Sequence, residues 1–226
     1  GSAAPSSWEE ARSRRRVQLW RVDVEGETEL RTLSNSDLAD SVALSPGGGL
    51  IAVGLRNGTV RLTSPVARDD GAEGEQDVYV EPATAGESGG NRMAHTLCFS
   101  HDGSKLAVGR TQLEDFTVYD VGSATVISRF VHPKSQGFSA AFFPMDDVLL
   151  TGTMAPQPCV FHRLIPPAPR FELELANTSI ASSDIASGGE LGLVVALVAG
   201  SELSVHTLEG KRLLVRDLEK ELFTSN

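Results

Sequence analysis

Short runs that alternate apolar and polar residues recur along the whole chain, and they predict β-strands rather than helices. The clearest group consists of runs at 95–99, 105–109 and 116–121, with the tight turn Ser-His-Asp-Gly-Ser between the first two. Gly122-Ser123 then turns the chain into a fourth run at 125–130. The group therefore predicts a four-stranded antiparallel meander, and His101-Asp102 is interpreted as its turn rather than as an acid-base couple.

Weaker copies of this meander stand on both sides of it. One copy spans 41–62, where Pro46 with three glycines and then Asn57-Gly58 provide the hairpin turns. Two more copies span 138–163 and 178–218, and a lone strand pair is predicted over 17–33. The turns align at the set Ser45, Ser100, Phe143 and Ala186, which are 55, 43 and 43 residues apart. A period of about 40 to 45 residues with four strands is typical of propeller blades.

The repeat resembles that of the WD-repeat family. His132 fits the family's position for a His before the first strand, about eleven residues ahead of its turn. Ser-His-Asp-Gly forms the turn at 100–103, and Tyr119-Asp120 stands where Trp-Asp is usual. The likeness covers 17–218, although Trp20-Arg21 and Phe161-His162 keep only the aromatic residue of that pair. It implies an all-β fold, a β-propeller of WD40-like four-stranded blades. No copy carries all four members of the family's His, hydroxyl, Asp and Trp tetrad, so none is assigned.

The number of blades is the unusual feature. Four complete copies and one strand pair make about four to five blades. The resemblance implies a larger number, because closed propellers of the family usually have about six to eight blades. The sequence therefore predicts an incomplete propeller. Its remaining blades lie elsewhere in the parent protein, or a partner chain or a second copy completes it, because an open ring leaves strand edges that invite pairing.

Three segments flank or interrupt the repeats. Residues 1–16 read as a flexible lead-in, and Gly1-Ser2 is typical of the remnant of a cleaved tag, which would leave native targeting signals outside the sequence. Residues 65–94 form an acidic, Gly-rich insertion, and 219–226 a tail. We expect the propeller itself to occupy 17–218.

Composition narrows the classes of partner. The net charge of -10 and the pI near 5.0 oppose general nucleic-acid binding, which needs a surplus of Lys and Arg. The sequence contains no apolar run as long as the roughly 18 residues of a membrane helix, so direct membrane insertion is not expected. Cys98 and Cys159 lie in apolar strand patterns, which favours buried, reduced thiols and a cytoplasmic or nuclear location.

No motif supports catalysis, so we expect a chain that is not an enzyme and that has no cofactor and no metal. The five histidines are spread over different repeats without the spacing of metal ligands, and neither a nucleophile elbow nor a phosphate-binding loop is present. The alternative from another class is a propeller-type hydrolase or lactonase, whose channel site would be assembled from several blades.

The sequence thus favours a protein-protein interaction scaffold, the WD40-like module of a larger protein or complex, with other proteins as partners. Two charged stretches are candidate contacts, namely the basic cluster before the first strand and the acidic insertion. Their candidate residues are Arg14, Arg15, Arg16, Asp69, Asp70, Glu73 and Glu75. The basic cluster can equally be a solvated entry to the first strand.

Overall fold

The computed structural model describes the chain in segments. These are residues 17–24, 26–33, 38–65, 78–80, 93–111, 115–131, 137–143, 147–153, 159–164, 171–173, 180–187, 193–199, 202–207 and 211–217. They contain eighteen strands in five antiparallel sheets and no helix. Within these segments, no helix has the length and apolar character needed to cross a membrane.

One two-stranded sheet, the strand pair, precedes four sheets of four strands. The strand pair consists of β1 (Val17–Asp23) and β2 (Gly26–Leu33). Sheet 1 contains β3 (Ala39–Leu44), β4 (Ile51–Leu55), β5 (Val60–Thr63) and β6 (Val78–Val80). Sheet 2 contains β7 (Ala94–Phe99), β8 (Lys105–Arg110), β9 (Asp115–Asp120) and β10 (Val126–Val131). Sheet 3 contains β11 (Gly137–Phe142), β12 (Val148–Thr153), β13 (Cys159–Arg163) and β14 (Phe171–Leu173). Sheet 4 contains β15 (Ile180–Ser187), β16 (Leu193–Ala199), β17 (Glu202–Thr207) and β18 (Arg212–Asp217).

The four sheets repeat one plan, with strands in chain order from the inside outwards. Each first strand shows a register shift after its first residue, at Ala39, Ala94, Gly137 and Ile180. A bulge increases the local twist of a strand, so the same twist is built into each repeat at one place.

The all-β architecture predicted from the alternating runs is confirmed, and the strands lie where those runs predict them.

The first strands β3, β7, β11 and β15 stand side by side, each beside the next. Apolar clusters fill the spaces between neighbouring sheets. Ala52 of β4 packs with Leu106 and Val108 of β8, and farther along Leu150 of β12 packs with Val195 of β16. A single meander cannot bury both of its faces, so each sheet stabilises the next.

The strand pair covers the first face of this stack. Leu33 of β2 is buried together with Ile51, Val53 and Leu55 of β4, and Val17 and Leu19 of β1 pack on the same cluster. The strand pair thus takes the place of a preceding sheet. None of the described apolar clusters joins sheet 4 to the strand pair or to sheet 1.

Glycines on the second strands allow neighbouring parts of the chain to approach closely. A Cβ added at Gly54 would collide with the carbonyl oxygen of Ala94 and with Ser41 Oγ, and one added at Gly109 would collide with the ring of Phe116. Ser41 Oγ donates a 2.5 Å hydrogen bond to that same carbonyl of Ala94. The absence of a side chain at Gly54 therefore lets the first strand of sheet 2 contact sheet 1 directly.

Candidate functional site

The contact residues proposed from the sequence lie outside the described residues. This holds for Arg14, Arg15 and Arg16 and for Asp69, Asp70, Glu73 and Glu75. The proposed lead-in at 1–16 and tail at 219–226 lie there too, as does almost all of the insertion at 65–94. The strands and turns provide three other places with functional potential, at the two ends of the sheets and on the last sheet.

The first place is the end of sheet 2 that carries the turn after β7, which we call the Ser100 end. The Gly103 amide donates to the Ser100 carbonyl at 2.9 Å, and the Lys105 amide donates to Ser100 Oγ at 2.8 Å. Asp102 Oδ1 accepts from Ser100 Oγ at 2.7 Å and from the Ser104 amide at 2.9 Å. Asp102 is therefore a structural carboxylate whose oxygen is already used by the turn.

Hydrogen bonds also keep two carboxylates of the Ser100 end, those of Asp102 and Asp120, in the ionised form. The bond from the Ser100 hydroxyl, reinforced by the two bonds from Ser104, places the pKa of Asp102 far below its ordinary value. The hydroxyl and the amide of Ser123 likewise lower the pKa of Asp120, at the turn before β10. These carboxylates stay ionised at neutral pH, so Asp102 and Asp120 give the Ser100 end fixed negative charge.

The second place is the opposite end, which we call the Gly58 end. It contains the turn between β4 and β5 and the beginnings of β3 and β7. Near the start of these strands, His95 Nδ1 lies 2.9 Å from Asp40 Oδ2. The pair joins the first strands of sheets 1 and 2, and 38% of the His95 side chain is exposed. A partner that binds at this end can therefore reach the His95 ring.

Arg110 is the most unusual residue of the Gly58 end. It is the last residue of β8 and is completely buried. By the alternation of the strand, its side chain lies on the same face as the core residues Leu106 and Val108. Its Nε donates to the Gly58 carbonyl at 2.9 Å, and its guanidinium carbon lies 5.6 Å from the centre of the Tyr119 ring. Nη1 and Nη2 are buried and have no hydrogen-bond acceptor in the structure.

The third place is one face of sheet 4, which we call the terminal face. Pairing of Ala196 with Val205, of Val198 with Leu203 and of Val205 with Leu214 puts these five aliphatic side chains on one face. Four of them are half-buried, and Leu214 is 40% exposed.

The equivalent face of every earlier sheet is covered by its neighbour. In sheet 1, Ala52, Val60 and Leu62 are at most 3% exposed because sheet 2 covers them. In sheet 2, Ala107 and Val118 are completely buried against sheet 3. The terminal face therefore has the composition of an inter-sheet contact without the burial of one.

The described residues provide little for metal or thiol chemistry. Among them, no group of three or more His, Cys, Asp or Glu side chains could hold a metal ion. Cys98 is a free thiol that is half-buried rather than fully buried, and its Sγ lies 3.5 Å from the Phe99 carbonyl. The side chain of Cys159 lies outside the described part.

Sequence reasoning missed Arg110 and the terminal face for different reasons. A charged residue that ends an apolar strand is usually exposed, although its parity with Leu106 and Val108 could have indicated an inward direction. The residues of β16 and β17 were recognised as strands, but only the packing between sheets shows that no other described sheet covers one of their faces.

Comparison with solved structures supports the class of fold that the repeat predicts. No protein-family model matches the sequence, and no curated protein matches it. The fold is that of a WD40-like β-propeller, although the number of blades in a complete ring is not established. A similar structure is Chaetomium thermophilum Sqt1, a WD40 β-propeller protein, with a TM-score of 0.70 and 13% sequence identity. The match covers 88% of this chain and 54% of Sqt1, so the chain spans about half the length of that protein.

Proposed function

We propose that this chain is a non-enzymatic scaffold for protein-protein interaction, a WD40-like module of a larger protein or complex. The observation that carries the proposal is the terminal face, where Leu203, Val205 and Leu214 form an aliphatic sheet surface that no described neighbour buries. A contiguous apolar surface of this kind marks a site of association.

The partner that suits the terminal face is another β-sheet with apolar side chains on its facing positions. Three inter-sheet contacts of this kind already exist in the chain, and the terminal face continues their series. The sheet can come from further blades of the same protein, from a partner chain or from a second copy. The half-length match to Sqt1 supports this proposal.

A cytoplasmic or nuclear location is part of the proposal. It rests on the two cysteines, of which Cys98 is a free thiol. Thiols persist in the reducing compartments of the cell, and disulfides are rare there.

The test compares two neighbouring substitutions that differ only in the face they change. Leu214 and Val215 are both 40% exposed on β18, but Val215 pairs with buried Ser204 and so faces sheet 3, whereas Leu214 faces outwards. We expect the purified wild type to self-associate as its concentration rises, because the terminal face excludes water when covered. Sedimentation velocity should show that Leu214→Glu suppresses this association and that Val215→Glu does not.

The same experiment can refute the proposal. A wild-type chain that remains a protease-resistant monomer at every concentration would show that the terminal face needs no cover. Equal effects of the two substitutions would show that the association does not depend on that face.

A further inference from the structure

We propose that Arg110 forms a binding site for an oxyanion, a carboxylate or a phosphate group, at the Gly58 end of the contact between sheets 1 and 2. The proposal is independent of the terminal face, since it concerns another pair of sheets and another kind of ligand.

The first argument is the cost of the buried charge. An arginine is always protonated in proteins, and each buried donor that lacks an acceptor loses its hydration without compensation. Arg110 is 0% exposed, and only its Nε has an acceptor, the carbonyl of Gly58. The ring of Tyr119 faces the charge but accepts no conventional hydrogen bond from Nη1 or Nη2. A bound anion would satisfy both remaining nitrogens.

The second argument is the shape of the unused donors. With Nε engaged by Gly58, the pair Nη1 and Nη2 remains at the end of the guanidinium. Two parallel N–H groups in one plane match the two oxygens of a carboxylate or two oxygens of a phosphate. A single bidentate oxyanion is therefore the ligand that fits, rather than a metal ion or an uncharged acceptor.

The third argument is the position of Arg110 beside a turn whose first residues are exposed. Its Nε contacts the turn at Gly58, and the preceding residues of that turn, Arg56 and Asn57, are exposed. Gly58 adopts a φ of 90°, a left-handed conformation that suits Asn-Gly hairpins. The exposed Arg56 adds a second positive charge to the same turn, in a protein whose net charge is -10. The two arginines thus place positive charge at this turn, which favours the approach of an anion.

Titration of inorganic phosphate and of acetate into the purified chain tests the proposal, with sodium chloride keeping the ionic strength constant. We expect the thermal midpoint to rise with concentration and to saturate, because a ligand that binds only the folded state stabilises it. Arg110→Lys keeps the charge but removes the paired nitrogens, so the apparent affinity should fall by about tenfold or more. The matched control Arg163→Lys, at an exposed arginine of sheet 3, should bind as the wild type does.

A measurement on the wild type alone covers the case in which Arg110→Lys does not fold. The proton and nitrogen resonances of Arg110 Nε and of the Gly58 amide should shift in a saturable way during the same titration.

An acidic peptide with an acetylated N-terminus and an amidated C-terminus shows whether the bound oxyanion comes from a protein side chain or from a small molecule. Shifts with the peptide but not with free phosphate or acetate assign the site to a partner's side-chain carboxylate, and shifts with the free anions assign it to a small oxyanion.

The proposal is wrong if neither the free anions nor the peptide shifts these resonances. In that case the two nitrogens are served by buried water alone. It is also wrong if Arg110→Lys responds to the anions as the wild type does, since any stabilisation would then be a general salt effect.

Discussion

At the scale of single residues, Gly54 is the position where sequence and packing constrain each other most directly. A glycine inside a strand usually weakens it, yet here the missing side chain makes room for the Ala94 carbonyl of the next sheet. A glycine in a strand pattern is consistent with close approach of another segment. The sequence does not identify that neighbour, because the Ala94 carbonyl comes from a strand forty residues later.

Gly54→Ala should destabilise the fold by about 2 kcal/mol, since the added methyl group overlaps a backbone oxygen that cannot move aside cheaply. Chemical denaturation checks this value. The matched control is Gly49→Ala, in the turn before β4, where an added Cβ meets no atom within 4 Å and the backbone needs no left-handed conformation. Equal stability of the two variants would contradict the packing role of Gly54.

The turn at Asp102 predicts a specific dependence of stability on pH. Because the Ser100 hydroxyl and Ser104 hold the pKa of Asp102 below its ordinary value, the unfolded state takes up a proton first as the pH falls below about 4. The stabilising contribution is complete at neutral pH and is lost on acidification. Asp102→Asn should therefore flatten the fall in stability between pH 5 and pH 3, measured by urea unfolding at each pH.

Ser100→Ala provides the companion variant, because it removes the hydrogen bond that contributes most to the lowered pKa. It should also make stability less sensitive to acid, though less completely than Asp102→Asn. Wild-type slopes in both variants would show that the Asp102 carboxylate does not stabilise the turn.

At the scale of elements, the strand pair shows that two strands are enough to bury the apolar face of a four-stranded sheet. An isolated two-stranded hairpin is marginal in water, so β1 and β2 depend on the apolar cluster that they share with β4. Their alternation was enough to predict both strands. That they cover β4 could not be read from the sequence, since alternation gives the apolar face of a strand but not the face it meets.

Leu33→Ala should cost about 3 kcal/mol, because Leu33 is 1% exposed within that cluster. Hydrogen exchange followed by mass spectrometry should show faster exchange in β1, β2 and β4 together. Val24→Ala is the control, since Val24 in the turn between β1 and β2 is fully exposed. Faster exchange confined to β2 would show that the strand pair does not protect sheet 1.

At the scale of the whole molecule, the apolar clusters of the described residues join each sheet to its neighbours, as in a stack. Stability in such a stack is a sum of repeat and contact contributions, so it varies along the chain. The period of the turns and the WD-repeat likeness predicted the class of fold. They could not show which face of which sheet lacks a neighbour, because all four repeats present similar aliphatic patterns.

Sheet 2 is covered on one face by sheet 1 and on the other by sheet 3, whereas the described residues cover sheet 4 on one face. We therefore expect amide exchange to be slowest in β8 and β9 and clearly faster in β16 and β17. Hydrogen exchange at low denaturant concentration measures both. Equal protection of these two strand pairs would mean that the sheets unfold as one unit and that the missing neighbour has no energetic effect.

The second strands of sheets 1 and 2 alternate large and small residues, which gives this part of the stack a direction. Ile51, Val53, Leu106 and Val108 point towards the preceding sheet, whereas Ala52 and Ala107 point towards the following one. Large side chains of one sheet thus fill the space left by small ones of the sheet before it. A sheet that covers the terminal face is therefore expected to present large side chains opposite Ala196, as Leu106 and Val108 do opposite Ala52.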